Sequence, residues 1–134
     1  MKIVTHIQRW WPSVLTLAAV LWLTLAPFPV GDMETPSFLG PHADKIVHFV
    51  MFGGLTGVII FDCTRARFKR GAMFYICLLI GMLAFAALDE WAQGAMNMGR
   101  SADIKDFAAD STGISTAIII SLIIALIRSY FHRR

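Results

Sequence analysis

Four mostly apolar stretches divide this chain of 134 residues, and each is close to the roughly 20 residues that a helix needs to cross the hydrocarbon core of a bilayer. Proline and glycine residues separate the first two stretches, a short basic turn follows the second, and Gly94 to Gly99 interrupts the chain before the last. The sequence therefore predicts an all-α membrane protein, folded as a single domain (residues 1–134) into a four-transmembrane-helix bundle. The predicted helices cover residues 10–29, 44–62, 72–93 and 103–127.

Composition supports the membrane class. Hydrophobic residues make up 57% of the chain, charged residues only 16%, and the mean hydropathy is +0.64. Soluble domains usually carry about 25% charged residues. The formal charge of +3 comes from basic residues that lie between the apolar stretches and form no continuous patch, so we expect no nucleic-acid partner.

The distribution of basic residues predicts the orientation. Nine of the twelve lysine and arginine residues precede the first predicted helix, lie between the second and third, or follow the fourth. Short cytoplasmic loops carry the excess of positive charge in membrane proteins, so both termini are expected to be cytoplasmic. A cleaved signal peptide over residues 1–27 is the alternative. The spanning length of the apolar run and its lack of a small-x-small cleavage site argue against it.

Acidic residues concentrate at the opposite side. Eight of the nine lie there, and only Asp62 lies on the basic side. Helical spacing places several polar residues on shared faces. These sets are Asp44 with His48, Glu90 with Gln93, and Asp103 with Asp106 and Asp110.

Asp110 follows Asp103 by about 10 Å along a helix axis, at about 1.5 Å per residue, and at that depth a carboxylate must face protein or water. We therefore expect the last three helices to turn their polar faces toward one another. The result would be a pocket roofed by the first loop, with Lys45 and Arg100 as counter-charges. Gly113, and the pair Gly53 and Gly57, favour close helix packing.

Simpler interpretations exist for several of these residues. Asp103 and Asp106 could cap the helix N-terminus, where carboxylates are favourable. Lys45 could extend to lipid headgroups. Asp89 is expected to be a surface charge at the membrane interface, and a lone His48 is usually structural.

The polar residues occur in motifs that resemble the VanZ-like family of bacterial membrane proteins. The resemblance covers roughly residues 20 to 120 and includes the Asp-Lys-x-x-His-Phe motif at residues 44–49. Its other segments are Leu-x-Pro at 25–27, Glu-x-x-Gln at 90–93, Gly-Arg with a following Asp at 99–106, and Gly113. Where the family usually has Asn, this chain has Asp110.

The resemblance implies a multi-pass protein of the bacterial cytoplasmic (inner) membrane with a role in the cell envelope. Because the family's namesake is linked to teicoplanin resistance, it also raises an influence on glycopeptide susceptibility, although not as the main role. We expect the pocket to bind a membrane lipid or a lipid-linked envelope precursor. The expected ligand-binding residues are Asp44, Lys45, His48, Glu90, Gln93, Arg100, Asp106 and Asp110.

Two alternatives remain open from sequence. The first is a small membrane-embedded hydrolase or transferase, with His48 or Glu90 as general base and Asp106 orienting the histidine or holding a metal. Carboxylates and one imidazole suit Mg²⁺, Mn²⁺ or Zn²⁺, but no paired-histidine metal motif is present, so the sequence names no cofactor. The second is a proton-coupled transporter, for which four helices would require a homo-oligomer.

Overall fold

The structure, a computed structural model, describes residues 2–26, 43–96 and 102–132, with side chains from residue 10 onward in the first segment. It contains four α-helices: α1 (Lys2–Leu25), α2 (Ala43–Arg65), α3 (Ala72–Met96) and α4 (Ile104–His132). The all-helical prediction is confirmed. All four helices extend beyond a predicted bound. The sequence prediction followed the apolar residues of each membrane span, whereas α1 begins before its apolar run and α2, α3 and α4 continue past theirs. The predicted end of the first helix at residue 29 lies outside the described residues.

Three of the helices have the properties of membrane spans. α2, α3 and α4 are each long and apolar enough to cross a bilayer, whereas the apolar part of α1 is the shorter segment Trp10–Leu25. Large apolar side chains are exposed on the outer faces of the helices, as in Ile80, Leu88 and Leu126. Such faces suit contact with lipid, so the chain is a multi-pass membrane protein.

Glycines allow α2 and α4 to pack closely. A Cβ atom added to Gly113 would lie 2.3 Å from the backbone oxygen of Phe49, and one added to Gly53 would lie 3.1 Å from the oxygen of Gly113. The predicted close approach is therefore confirmed for Gly53 and Gly113. It is wrong for Gly57, where an added Cβ meets nothing within 4 Å.

The apolar core lies between these helices. Phe52 and Leu55 of α2 pack with Ile114 of α4, and all three side chains are buried. Val20 from α1 and Ala86 from α3 belong to the same cluster. The core holds the helix ends in fixed positions, and those ends carry the polar residues.

Polar contacts attach α1 to its neighbours at two levels. The backbone N–H and the hydroxyl of Ser13 both donate to Oδ2 of Asp62 on α2, at 3.0 and 2.7 Å. Pro12 removes one N–H from the hydrogen-bond ladder of α1 beside this point. Near the other end of α1, the Thr24 hydroxyl donates to Asp89 of α3 at 2.8 Å.

The turn after α2 is closed by its own backbone. Arg67 adopts a left-handed conformation with φ of 56°, and the N–H groups of Arg67 and Phe68 donate to the carbonyls of Thr64 and Cys63. This pair of bonds is the Schellman arrangement that ends many helices. We call the side where α2 ends and α3 begins the basic end of the molecule, and the opposite side the polar end.

Candidate functional site

Polar side chains from three helices meet at the polar end, where α2 and α4 begin and α3 ends. We call six of them the polar cluster. Four are buried and two, Lys45 and Asp103, are partly exposed. The members of the polar cluster are Lys45, His48, Glu90, Asp103, Asp106 and Asp110.

A histidine–carboxylate pair forms the deepest part of the cluster. Nδ1 of His48 lies 3.0 Å from Oδ1 of Asp110, and the two residues are only 2% and 1% exposed. His48 lies four residues after Asp44, one turn into α2, and Asp110 lies two turns into α4. The expectation that Asp110 faces protein is therefore confirmed.

Lys45 connects the first turns of α2 and α4. Its ammonium donates to Oδ1 of Asp106 at 3.2 Å and lies 3.6 Å from Oδ2 of Asp103. Lys45 is therefore the counter-charge of these two aspartates. Because its side chain is still 30% exposed, the ammonium remains accessible from one side.

Asp103 caps α4. Its Oδ1 atom accepts a hydrogen bond from the backbone N–H of Lys105 at 2.9 Å, which is the role predicted for a carboxylate at a helix N-terminus. This backbone bond, helped by the charge of Lys45, lowers the pKa of the Asp103 carboxyl below its usual value. Asp103 is therefore an anion at neutral pH, on the exposed rim of the cluster.

Glu90 links the end of α3 to the start of α4. Its Oε1 atom accepts a hydrogen bond from the backbone N–H of Asp103. The Oε2 atom is buried and has no hydrogen-bond partner among the described residues, and the same is true of Oδ2 of Asp110. Glu90 and Asp110 thus each have one buried oxygen available for another group.

Asp89 is not the surface charge that the sequence predicts. It is 4% exposed and accepts hydrogen bonds from Thr24 at 2.8 Å and from Gln93 at 2.9 Å. The prediction is wrong because α1, whose polar residues gave no sequence signal, covers this face of α3. Gln93 is buried, and its side-chain amide donates to Asp89. We therefore do not count it in the polar cluster.

The remaining predicted site residues lie at the rim or outside the described part. Asp44 is exposed at the start of α2. Arg100 and the first loop, the predicted roof of the pocket, lie outside the described residues. The structure brings together Lys45, His48, Glu90, Asp106 and Asp110, and their role in binding a ligand stays a prediction.

Sequence reasoning missed several polar residues that contact other helices. Tyr75 of α3 lies 3.1 Å from Ser121 of α4, hydroxyl to hydroxyl, and the contacts of α1 and its partners involve Ser13, Thr24 and Asp62. Asp62 is fully buried and lies 3.7 Å from Arg65 in addition to its contacts with Ser13. Ser13 and Thr24 are small hydroxyl residues in an apolar stretch, where a hydroxyl can equally bond to its own helix. The one usable signal was Asp62, the single carboxylate on the basic side.

Two groups of side chains within the cluster could hold a metal ion. One nitrogen or oxygen atom from each of His48, Glu90 and Asp110 lies within 4.8 Å of the others, and all three residues are buried. Asp44, His48 and Asp106 form a second such group, of which Asp44 is exposed. His48 belongs to both groups.

Comparison with known proteins places this site in a family. The family model described as VanZ/LLP1 matches residues 4–126. The chain belongs to the VanZ/LLP1 family. The VanZ/LLP1 match includes every member of the polar cluster, in agreement with the motif resemblance. No curated protein and no solved structure matches the chain.

A separate groove lies toward the basic end of this VanZ/LLP1 protein, between α2 and α4. It has a volume of about 290 Å³ and is lined mainly by apolar side chains, with Arg70 and Arg128 among its lining residues. Gly57 also lines it, which explains why an added Cβ there would meet no atom.

Proposed function

We propose that this VanZ/LLP1-family protein spans the bacterial cytoplasmic membrane four times, with both termini in the cytoplasm and the polar end at the outer leaflet. The distribution of basic residues supports this orientation. The contacts of α1 support its role as a span in addition to α2, α3 and α4, since its Ser13 contacts the basic end of α2 and its Thr24 contacts the polar end of α3. The two residues are about 16 Å apart along a helix, at about 1.5 Å per residue.

At the polar end, the protein binds an anionic lipid or a lipid-linked envelope precursor. The observation that carries this proposal is the polar cluster itself. Three helices bring their ionisable side chains together at one end of the bundle, and charged residues within membrane spans are costly and usually functional. The lysine and aspartate at its rim remain 30% and 39% exposed.

The buried members of the cluster fix the position of this rim. His48 and Asp110 join α2 to α4, and Glu90 holds the first residues of α4 against α3. Lys45 is thereby held at the surface, where its ammonium can bind the phosphate of a lipid headgroup. Asp44 and Asp103 lie beside it and can accept hydrogen bonds from hydroxyl or amide groups of the same headgroup.

Genetic complementation tests this function. A strain that lacks the gene would receive the wild type, Lys45→Gln or the matched control Lys105→Gln, an exposed lysine on α4 at the same end. Susceptibility to envelope-directed compounds, teicoplanin included, would be measured at equal membrane abundance of each protein. We expect Lys105→Gln to complement and Lys45→Gln to fail. Equal complementation by both variants would contradict the proposal.

The pair of His48 and Asp110 favours one alternative, a lipid-directed hydrolase or transferase. A carboxylate that orients an imidazole is a common arrangement for a general base. In that case purified protein should convert a lipid-linked substrate to a product detectable by mass spectrometry, and His48→Gln should remove this turnover. Binding without turnover by the wild type would favour the binding function.

A further inference from the structure

The centre of the polar cluster has a shortage of hydrogen-bond partners. Oε2 of Glu90 and Oδ2 of Asp110 are buried and receive no hydrogen bond from any described residue. Asp89, at the same end of the molecule, provides the contrast, because one of its oxygens binds Thr24 and the other binds Gln93. Oδ1 of Asp62, at the basic end, also lacks a hydrogen bond, but the Arg65 guanidinium lies 3.7 Å from it. Buried polar atoms are nearly always paired, so the two oxygens of the polar cluster, which have no lysine or arginine beside them among the described residues, indicate a missing group.

The nearby cation does not supply the missing charge. The ammonium of Lys45 contacts Asp106 and Asp103, and no ion pair within the described segments joins it to Glu90 or Asp110. Two carboxylates therefore share one imidazole, which contacts Asp110 only at Oδ1, and a buried charge is costly unless it is fully paired and hydrogen-bonded.

We propose that His48, Glu90 and Asp110 bind one divalent metal ion, Zn²⁺ or Mn²⁺. One donor atom from each residue lies within 4.8 Å of the others. A mixed set of imidazole and carboxylate ligands suits these ions. The ion would replace the proton between His48 and Oδ1 of Asp110, take Oδ2 of the same carboxylate and Oε2 of Glu90 as further donors, and offset the negative charge of both carboxylates.

The distance between the first two ligands fits this role. Nδ1 of His48 and Oδ1 of Asp110 are 3.0 Å apart. Two neighbouring ligands of an octahedral ion are about 3 Å apart when each lies about 2.1 Å from the ion. A carboxylate oxygen of Glu90, within 4.8 Å of ligand atoms of both residues, is the third donor.

The second possible group carries less weight. Asp44 is exposed, and Asp106 is already bonded to Lys45 at 3.2 Å. A metal ion bound there would have to displace that lysine. The buried set of His48, Glu90 and Asp110 has no such competitor among the described residues.

Metal analysis of the purified protein tests the inference, which does not depend on lipid binding. Protein carrying a tag without histidine would be stripped with EDTA, exchanged into Zn²⁺ or Mn²⁺ and analysed by inductively coupled plasma mass spectrometry. We expect about one ion per wild-type chain, and a loss of at least about 10-fold in metal affinity for Glu90→Gln and Asp110→Asn. The control Asp62→Asn, a buried carboxylate at the basic end, should retain the ion.

Two results would overturn the proposal. One is a wild type that binds neither ion, which would leave a proton shared by the two carboxyls as the missing group. The other is equal affinity in the wild type and both cluster variants. If the variants fail to fold, pulsed electron paramagnetic resonance of the Mn²⁺-loaded wild type decides, since it should show coupling to an imidazole nitrogen and its absence would contradict the site. Complementation by Lys45→Gln is a separate readout, so the two proposals can fail independently.

The groove at the basic end carries a second, independent inference. Its walls are formed by Gly57, Ile60 and Phe61 of α2 and by Ala117, Ile120 and Ile124 of α4. Arg70 and Arg128 also line it, and neither forms an ion pair within the described segments. Basic pockets between membrane helices recognise anionic lipid headgroups.

We infer that this groove binds an anionic glycerophospholipid of the bilayer. Its phosphate lies between Arg70 and Arg128, and one acyl chain lies along the apolar wall beside Gly57. The lipid is thus distinct in position from any ligand of the polar cluster.

Competition between two lipids tests this inference. Protein in detergent would be offered equal amounts of phosphatidylglycerol and phosphatidylcholine, and the bound lipids counted by native mass spectrometry. The preference for phosphatidylglycerol should fall about 5-fold for each of Arg70→Gln and Arg128→Gln. Lys69→Gln, an exposed neighbour in the turn, should leave it unchanged. The same preference in the wild type and in the double arginine variant would overturn the inference.

Discussion

Nδ1 of His48 lies 3.0 Å from Oδ1 of Asp110, and this contact joins α2 to α4 below the surface of the polar end. Both side chains are almost fully buried, with 3% and 1% of their surface exposed. One turn deeper, Gly113 lies against the backbone of Phe49. The polar contact and the close glycine packing therefore hold the same two helices together.

The His48–Asp110 contact should be measurable as a coupling between the two residues. In a double-mutant cycle with His48→Ala and Asp110→Ala, we expect a coupling free energy of about 0.6–1.7 kcal/mol, the range that such cycles give for hydrogen bonds between membrane helices. Unfolding of the metal-free protein in detergent would supply the four free energies. The pair Lys105→Ala and Asp110→Ala should be additive, and an equal coupling in both pairs would contradict the contact.

Gly113 and Gly57 should respond differently to the same substitution. Gly113→Ala would place a methyl group 2.3 Å from the oxygen of Phe49, so α2 and α4 must move apart at a cost of about 1–3 kcal/mol. Gly57→Ala meets no atom within 4 Å and should change stability by less than about 0.5 kcal/mol. Thermal unfolding followed by circular dichroism checks both. A stable Gly113→Ala protein would show that the helices are not packed this closely.

Thr24 should matter more than an exposed threonine. Thr24→Val removes a donor from the buried Asp89, and we expect a loss of about 1–3 kcal/mol in unfolding free energy. Thr112→Val is the control, because Thr112 is exposed and, among the described residues, its hydroxyl donates to the carbonyl of Ala108 in its own helix. If both variants unfolded at the wild-type midpoint, α1 would not be attached at this position.

The proposed topology can be tested with reporter fusions. Reporters placed after Arg70 and at the C-terminus should both be active in the cytoplasm, because each follows a basic segment. A third fusion near residue 97, after α3, should be active outside the cytoplasm. A periplasmic signal after Arg70 or at the C-terminus would overturn the orientation and place the polar end at the inner leaflet.

The sequence predicted the helices and the convergence of their polar faces for clear physical reasons. A membrane span must be apolar over its whole length, so the spans stand out. A charged residue within one must face protein, and Asp110 obeys this rule by contacting His48. The motif spacing then identified Lys45, Glu90 and Asp106 as neighbours of that pair.

The contacts of α1 could not be predicted in the same way. Ser13 and Thr24 can satisfy their hydroxyls within their own helix, so nothing in the sequence assigns them to Asp62 and Asp89. The wrong prediction for Asp89 has the same origin, because its burial depends on a helix whose rotation the sequence does not fix. The vacant space beside Gly57 likewise depends on the angle between α2 and α4.

Native mass spectrometry of the gently extracted protein tests the central claim, that the polar cluster is a ligand site. The wild type would be compared with Asp106→Ala, which removes the carboxylate bonded to Lys45, and with Asp62→Asn as the control at the basic end. We expect a lipid or lipid-linked adduct on the wild type and on Asp62→Asn, and its loss from folded Asp106→Ala. The same bulk phospholipids on all three proteins would contradict the account and leave the cluster as a structural network.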